Sequence, residues 1–245
     1  TLRRSSAASD VYKRQHLVYQ MRQDRITLRL GEAVDGVDLY EDERGEHVRI
    51  RLTSGKQIVT QKALYAIGRS GAVDSLNLHA IGLEADSRGR LSVDGDYRTA
   101  VANVFAVGDL IGFPSLASTS MEQGRVAACN ALSIGCDGMS DHFPIGIYTI
   151  PEISTVGRSE EELTDAGIPY EVGKASYREV SRGQIIGDST GFLKMMFHLE
   201  TREILGVMII GEGASELVHI GQAVMALGGT IDYFVNNVFL SLIHI

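Results

Sequence analysis

Cysteine is scarce in this sequence, and that scarcity excludes whole classes of protein. Of the 245 residues only Cys129 and Cys136 are cysteines, too few for a disulfide framework. Six residues separate them, which does not match a C-x-x-C metal or redox motif. We expect both to be small, buried or half-buried side chains. So few cysteines suit a reducing compartment, and we expect a cytoplasmic location.

The histidine spacing, the net charge and the lengths of the apolar runs lead us to expect no bound metal, no nucleic-acid partner and no membrane span. The seven histidines are scattered without ligand spacing, so we assign no metal. The formal net charge of −8 argues against a nucleic-acid surface, which needs a basic stripe. The longest apolar run near the end, residues 204–210, is far shorter than the roughly 20 residues of a spanning helix. The length favours two modest domains over one large domain.

The most informative stretch is residues 99–135, where an apolar run leads into Gly-Asp and then into a helical pattern. The run at 104–107 predicts a buried parallel strand, which would place Asp109 at a carboxyl edge, where open α/β sheets bind ligands. Ser115 is a candidate N-cap and Gly135 a candidate C′ residue. Apolar residues recur at helical spacing: Leu116, Ala117, Met121, Ala128 and Leu132.

The chemistry of this stretch suits an extended ligand. A carboxylate such as that of Asp109 accepts hydrogen bonds from sugar or polyol hydroxyls. Free N–H groups in the first turn of a helix suit an anion or an electron-rich carbonyl. The alternative is that Asp109 merely caps its loop, and the residues by themselves leave that alternative open.

The string TAVANVFAVGD at residues 99–109 resembles the second FAD-binding motif of the flavoprotein disulfide reductases, a family with two dinucleotide-binding domains. The resemblance implies that Asp109, after Gly108, binds the ribityl chain of FAD. It also implies that N–H groups at about Leu116, Ala117 and Ser118 face the flavin pyrimidine ring. ALYAIGR at residues 63–69 resembles the strand that returns from the NAD domain, and there Gly68 would let the backbone approach a cofactor or a crossing chain. A simple turn glycine is the alternative.

The same resemblance gives the expected fold: a partial FAD/NAD(P)-binding α/β fold followed by an α+β interface domain that dimerises. Short strands and turns between residues 26 and 67 predict an antiparallel meander. We expect residues 16–68 to be the tail of an NAD(P)-binding domain, 69–140 part of an FAD-binding domain, and 141–239 the dimerisation domain. The ends, 1–15 and 240–245, resemble translated sequencing-adapter fragments and are expected to be non-native.

Within the predicted dimerisation domain, capping residues, turn residues and apolar patterns predict individual helices and strands. Ser159 and Glu162 form a capping box before a short helix that ends at Gly167. Strands are predicted at residues 171–177, 191–198 and 204–210, with a hairpin turn at 200–203. A helix at 213–227 carries an apolar stripe made of Leu217, Ile220, Val224 and Leu227.

The resemblance is strongest to the branch of the family that passes hydride between NADPH and NAD⁺ through FAD. The strings that carry it are YAIGRSGAVDSL, VGDLIGFPSLAS, GIYTIPEISTVG, PYEVGKA and IDYFVNNVF. It implies FAD and NAD(P) as cofactors, nicotinamide nucleotides as substrates and a homodimer. No G-x-G-x-x-G follows a strand, and we assign no catalytic residue. The alternatives are the branch that oxidises dihydrolipoamide and, from another class, a non-catalytic oligomerising fragment.

Overall fold

The computed structural model describes residues 11–43 and 45–240, which divide into two compact units. The first unit comprises residues 17–68, and the second comprises 69–240 together with the described residues before 17. A helix, α1 (Val11–Gln23), runs across the division. Most of the expected leader and tail, residues 1–10 and 241–245, lies outside the described residues. None of the described helices is both long and apolar enough to cross a membrane.

The first unit is built on a three-stranded antiparallel sheet. Its strands are β1 (Val34–Asp42), β2 (Gly45–Leu52) and β3 (Gln57–Thr60), in the order β1-β2-β3. This confirms the predicted meander. No strand forms at the start of the predicted meander, residues 26–30, or in the segment 63–69 that resembles a returning strand, because neither segment has strand pairing among the described residues. Leu64 and Tyr65, expected in a buried strand, have 93% and 80% of their surface exposed.

The second unit begins with irregular chain and short 3-10 turns at Asp74–Leu76, Leu78–Ile81 and Gly108–Ile111. The buried parallel strand expected at 104–107 is wrong: only Phe105 pairs, in an isolated antiparallel bridge with Arg98. Asp109 therefore follows a closed loop and not a sheet edge. The physical reason is that the described strands of this unit all lie in one antiparallel sheet beyond residue 144, which leaves this segment without a parallel partner.

The long helix, α2 (Ala117–Ala131), exists, but its ends and its buried face differ from the prediction. Leu116 is the N-cap, and Ser115 instead donates its hydroxyl to the carbonyl of Gly112 at 2.8 Å. The left-handed residue after the helix is Ser133 (φ 57°), so Gly135 is not the C′ residue. The predicted apolar positions Ala117, Met121, Ala128 and Leu132 are exposed. The buried residues are Thr119, Gln123, Val126 and Ala127.

The rest of the second unit is an α+β layer. Its five-stranded antiparallel sheet has the order β4-β5-β8-β7-β6. The strands are β4 (Ile145–Ile147), β5 (Ile153–Gly157), β6 (Tyr170–Ser176), β7 (Phe192–His198) and β8 (Ile204–Ile210). The helices are α3 (Glu160–Asp165), α4 (Ser181–Ile186), α5 (Ala214–Ala226) and α6 (Asp232–Asn236).

Several local predictions in this layer are confirmed. Ser159 and Glu162 form the reciprocal capping box at the start of α3, and Gly167 follows that helix with φ 65°. β7 and β8 pair as an antiparallel hairpin. The core lies on one face of the sheet, where Val156, Val207 and their neighbours pack against α5.

The predicted stripe on α5 is partly wrong. Val224 is buried, and Leu217 and Ile220 pack at the edge of the core, but Leu227 has 87% of its surface exposed. Val218, Gly221 and Met225 are the residues that turn toward the sheet. The helix therefore leaves an apolar residue in solvent at its C-terminal end.

Candidate functional site

The segment before Asp109 is a closed loop organised by one threonine. Thr99 is buried, and its hydroxyl donates to the carbonyl of Val104 at 2.9 Å while accepting from the N–H of Val101 at 3.1 Å. The Thr99 N–H also donates to the Val104 carbonyl at 2.9 Å. These hydrogen bonds satisfy backbone polar groups of the loop without a neighbouring strand. They therefore fix the direction in which the chain reaches Gly108.

The turn that carries Asp109 is held against α2. Gly108 has φ 75°, a conformation that favours glycine, and its N–H donates to Gln123 Oε1 at 2.7 Å in the interior. A Cβ added at Gly108 would lie 3.1 Å from Ser120 Oγ, so the Gly108 turn touches the first turn of the helix. Gly108, Asp109 and the start of α2 are thereby brought into one region.

The Asp109 carboxylate is open to a ligand. Its side chain is 46% exposed and lies 3.6 Å from Arg69 Nη1, an ion pair in which the arginine side chain is 88% exposed. An ion pair this exposed contributes little, about 0–1 kcal/mol, because water screens it. A ligand hydroxyl can therefore compete for the carboxylate oxygens. No signal in the sequence marked Arg69, because a surface arginine needs no function.

The start of α2 offers uncapped donors. Leu116 has extended backbone, and no side chain of the described residues caps the helix. The hydroxyl groups nearby face the other way: those of Thr119 and Ser120 both donate to the Leu116 carbonyl at 2.8 Å. Ala117 and Ser118 are exposed. The free N–H groups of the first turn carry the positive end of the helix dipole and suit an electron-rich ligand atom.

The last predicted site residue, Gly68, belongs to the first unit. Its φ of 138° is one that side-chain-bearing residues rarely adopt. No described heavy atom lies within 4 Å of the position its Cβ would take. The structure thus shows a backbone need for glycine there, and the approach of a cofactor to Gly68 stays a prediction.

Two family models match this chain. The pyridine nucleotide-disulphide oxidoreductase model matches residues 8–124, and the dimerisation-domain model of the same family matches residues 143–242. The chain belongs to the pyridine nucleotide-disulphide oxidoreductase family. This confirms the predicted combination of a partial dinucleotide-binding fold and an α+β dimerisation domain.

Curated members of this family resemble the chain closely. A protein of Mycobacterium tuberculosis named soluble pyridine nucleotide transhydrogenase is 50% identical over 223 residues, covering 91% of this chain and 47% of its own length. A protein of the same name from Vibrio vulnificus is 48% identical over 227 residues, covering 91% of this chain and 48% of its own length. The chain therefore spans about half the length of these relatives.

Solved structures of family members share the fold. LpdA from Mycobacterium tuberculosis aligns with a TM-score of 0.83 at 23% identity, over 95% of this chain and 50% of that one. The HOCl-induced flavoprotein disulfide reductase RclA from Escherichia coli aligns with a TM-score of 0.84 at 22% identity, over 94% of this chain and 53% of that one.

The family uses FAD and NAD(P), and the residues at Gly108–Ile111 and α2 fit part of a flavin site. The fit rests on two features of this chain: a half-exposed carboxylate with only a screened ion pair, and helix N–H groups that no side chain caps. An acceptor suits ribityl hydroxyls and the donors suit the carbonyl-bearing edge of the ring.

Proposed function

We propose that the protein containing this chain transfers hydride between NADPH and NAD⁺ by way of FAD. The observation that carries the proposal is the 50% identity over 223 residues to proteins named soluble pyridine nucleotide transhydrogenase. Such identity extends through the Asp109 turn, α2 and the dimerisation domain, because it covers 91% of the chain. The exposed carboxylate and helix start support it, since they offer the groups that a flavin needs.

FAD, when bound, supplies the hydride chemistry, and the protein supplies position and electrostatics. In the proposal, Asp109 accepts hydrogen bonds from the ribityl hydroxyls and so fixes the position of the ring. The N–H groups at Leu116, Ala117 and Ser118 donate toward the pyrimidine side of the ring, where negative charge develops on reduction. The positive end of α2 stabilises that charge because it is already oriented before reduction.

The remaining assignments belong to the same proposal. Residues 16–68 are the tail of the NAD(P)-binding domain, 69–140 are part of the FAD-binding domain, and 141–239 dimerise. The match to a dimerisation-domain model supports a homodimer. Nicotinamide nucleotides are the substrates, and the word "soluble" in the relatives' name supports a cytoplasmic location.

A hydride-transfer assay on a full-length protein that includes this chain tests the proposal. With FAD bound, NADPH and thio-NAD⁺ should give thio-NADH without any added disulfide. The same preparation should not reduce NAD⁺ with dihydrolipoamide. Rapid dihydrolipoamide oxidation with slow NADPH turnover would instead assign the chain to the dihydrolipoamide branch. The 245-residue chain by itself should be colourless and inactive, because no G-x-G-x-x-G phosphate loop occurs in it.

A further inference from the structure

The chain reverses direction after α2 and runs back along the helix. Ser133, in the left-handed region with φ 57°, begins the reversal, and the N–H of Ile134 donates to the carbonyl of Cys129 at 2.9 Å. Residues 134–137 therefore lie beside the last two turns of α2. The two cysteines are on facing segments, although six residues separate them in the sequence.

Arg125 holds residues 134–137 against α2 by a hydrogen bond. Its Nη2 donates to the carbonyl of Asp137 at 3.0 Å, and its guanidinium also pairs with Glu122 on the same helix at 2.6 Å. Arg125 and Cys129 are four residues apart and so lie on one face of α2. Cys136 lies between Ile134, which bonds to the Cys129 carbonyl, and Asp137, which bonds to Arg125, so it lies close to the face of α2 that carries Cys129.

The two thiols interact. A side-chain hydrogen bond with Cys129, and then desolvation, raises the pKa of the Cys136 thiol above its usual range. Both cysteines are partly exposed, so small reagents can reach them. Cys129 lies about 18 Å along the helix axis from Ala117, given a rise of about 1.5 Å per residue, so the pair is separate from the candidate flavin site.

We propose that Cys129 and Cys136 form a reversible dithiol–disulfide site that joins the end of α2 to the segment leading into the dimerisation domain. A low-molecular-weight disulfide, such as oxidised glutathione, is the oxidant. One cysteine thiolate attacks it and releases one glutathione thiolate, and the second cysteine thiolate then attacks the mixed disulfide and releases the other. The protein loses two protons and two electrons, and the electrons remain on the two glutathione molecules. Added dithiol reverses both steps.

Peptide mass spectrometry of the unsubstituted 245-residue chain after exposure to oxidised glutathione tests the proposal. No Lys or Arg lies between Arg125 and Arg158, so both cysteines fall in one tryptic peptide, residues 126–158. We expect that peptide to be lighter by two hydrogen atoms and free of glutathione. A peptide carrying glutathione on both cysteines, or chains joined through a disulfide on a non-reducing gel, would overturn the proposal.

Single-cysteine variants provide the matched control, because the chain has no third thiol. Cys129→Ser and Cys136→Ser should each stop at the mixed disulfide with glutathione. Phenylarsine oxide provides a second measurement that needs no oxidant: its arsenic binds two thiols with release of one water. The natural chain should bind one molecule that excess monothiol does not remove, and each variant should release it. Equal release from the natural chain would show that the thiols do not meet.

The role of Arg125 is one of positioning, and it has its own test. Arg125→Gln removes the charged hydrogen bond to the Asp137 carbonyl. Because this hydrogen bond is exposed to water, its loss should have the effect of an ordinary hydrogen bond, and in glutathione redox buffers we expect the effective concentration of the thiol pair to fall about 2- to 10-fold. Arg182→Gln, at an exposed arginine on α4, is the control and should leave it unchanged. If Arg125→Gln leaves the effective concentration of the thiol pair unchanged, Arg125 does not position the two cysteines.

Discussion

At the scale of single residues, the Asp109 carboxylate carries the most specific prediction. A carboxylate that accepts from a ribityl hydroxyl forms a charged hydrogen bond, worth about 1.5–3 kcal/mol. In a full-length protein, Asp109→Ala should therefore weaken FAD binding roughly 10- to 150-fold. Asp109→Asn should be intermediate, because the amide keeps an acceptor but loses the charge. Flavin fluorescence titration measures the affinity, and circular dichroism should show an unchanged fold.

Arg69 provides the control for that experiment. It pairs with the same carboxylate, but it is 88% exposed, so its removal changes little electrostatic energy. Arg69→Gln should alter FAD affinity by less than about 5-fold, since an exposed ion pair contributes about 0–1 kcal/mol. The ribityl assignment is wrong if Asp109→Ala leaves FAD affinity unchanged, or if Arg69→Gln lowers FAD affinity more than Asp109→Ala does.

Asp188 carries a pH-dependent prediction in the dimerisation domain. Burial raises the pKa of this carboxyl, but hydrogen bonds from the N–H groups of Glu212, Gly191 and Thr190 outweigh burial, and the native pKa lies below its usual range. A carboxyl with a lowered native pKa stabilises the fold above its unfolded pKa of about 3.9. That contribution is lost as the pH falls through the lower native value.

The variant Asp188→Asn should lower the free energy of unfolding by about 1–3 kcal/mol at neutral pH. The difference from the natural chain should begin to shrink below about pH 4, where the carboxyl of the unfolded chain becomes protonated, and should be lost only below the lowered native pKa. Urea unfolding at several pH values measures both effects. Asp141→Asn, at an exposed carboxyl, should leave stability unchanged across the range. A penalty in Asp188→Asn that persists undiminished in acid would contradict the ionic explanation.

How far the sequence reveals the site depends on how local each contact is. The sequence predicted that Gly108 and Asp109 come shortly before a long helix, but it placed them at a sheet edge and not in the closed loop that carries them. The bond from the Gly108 N–H to buried Gln123 was missed, because it joins residues 15 apart and a glutamine on a helix gives no sign of which face is buried. The pairing of the two cysteines was missed for a similar reason: a C-x₆-C spacing has no recognised meaning until the chain reversal at Ser133 is known.

At the scale of elements, two glycines in helix interiors should respond to alanine in opposite directions. A Cβ at Gly124 in α2 would meet nothing within 4 Å, whereas one at Gly221 in α5 would lie 2.7 Å from Val207 Cγ2. Gly124→Ala should stabilise by about 0.5–1 kcal/mol through helix propensity. Gly221→Ala should destabilise by about 1–3 kcal/mol, because a β-branched side chain in a packed strand cannot yield. Chemical denaturation distinguishes them, and the same sign for both would contradict the packing of α5.

The elements that the sequence predicted well are those closed by neighbouring residues. The capping box at Ser159 and Glu162 and the hairpin between β7 and β8 both depend on local bonds. The strand predicted at 104–107 does not form, because a buried strand needs neighbouring strands from elsewhere in the chain. A local apolar run does not show whether such neighbours exist. The prediction of the buried face of α2 was wrong because Thr119 and Gln123 form hydrogen bonds to the loop before the helix. Polar side chains therefore occupy the face where apolar side chains were expected.

At the scale of the whole molecule, the dimerisation domain presents an apolar cavity of about 460 Å³. It is lined by His219, Ile220, Ala223, Val224, Leu227, Gly229 and Tyr233. Nearby in the sequence, Val235 and Val238 are also exposed apolar residues. Apolar surface of this extent, in a domain matched by a dimerisation model, suits the proposed contact between two copies of the protein.

Charge placed in this surface should therefore separate the copies. Leu227→Asp would bring a carboxylate into a desolvated contact, where an unpaired charge costs several kcal/mol, and in a two-fold contact the cost occurs twice. A full-length protein with this change should sediment as a monomer at micromolar concentration, whereas the unsubstituted protein is expected to sediment as a dimer. Ile185→Asp is the matched control, since Ile185 is similarly exposed on α4 but does not line the cavity. Leu227 is exposed in the single chain, so its replacement should leave the free energy of unfolding of the monomer within about 0.5 kcal/mol. A Leu227→Asp protein that remains dimeric would move the contact away from the end of α5, and a natural protein that sediments as a monomer would remove the homodimer from the proposal.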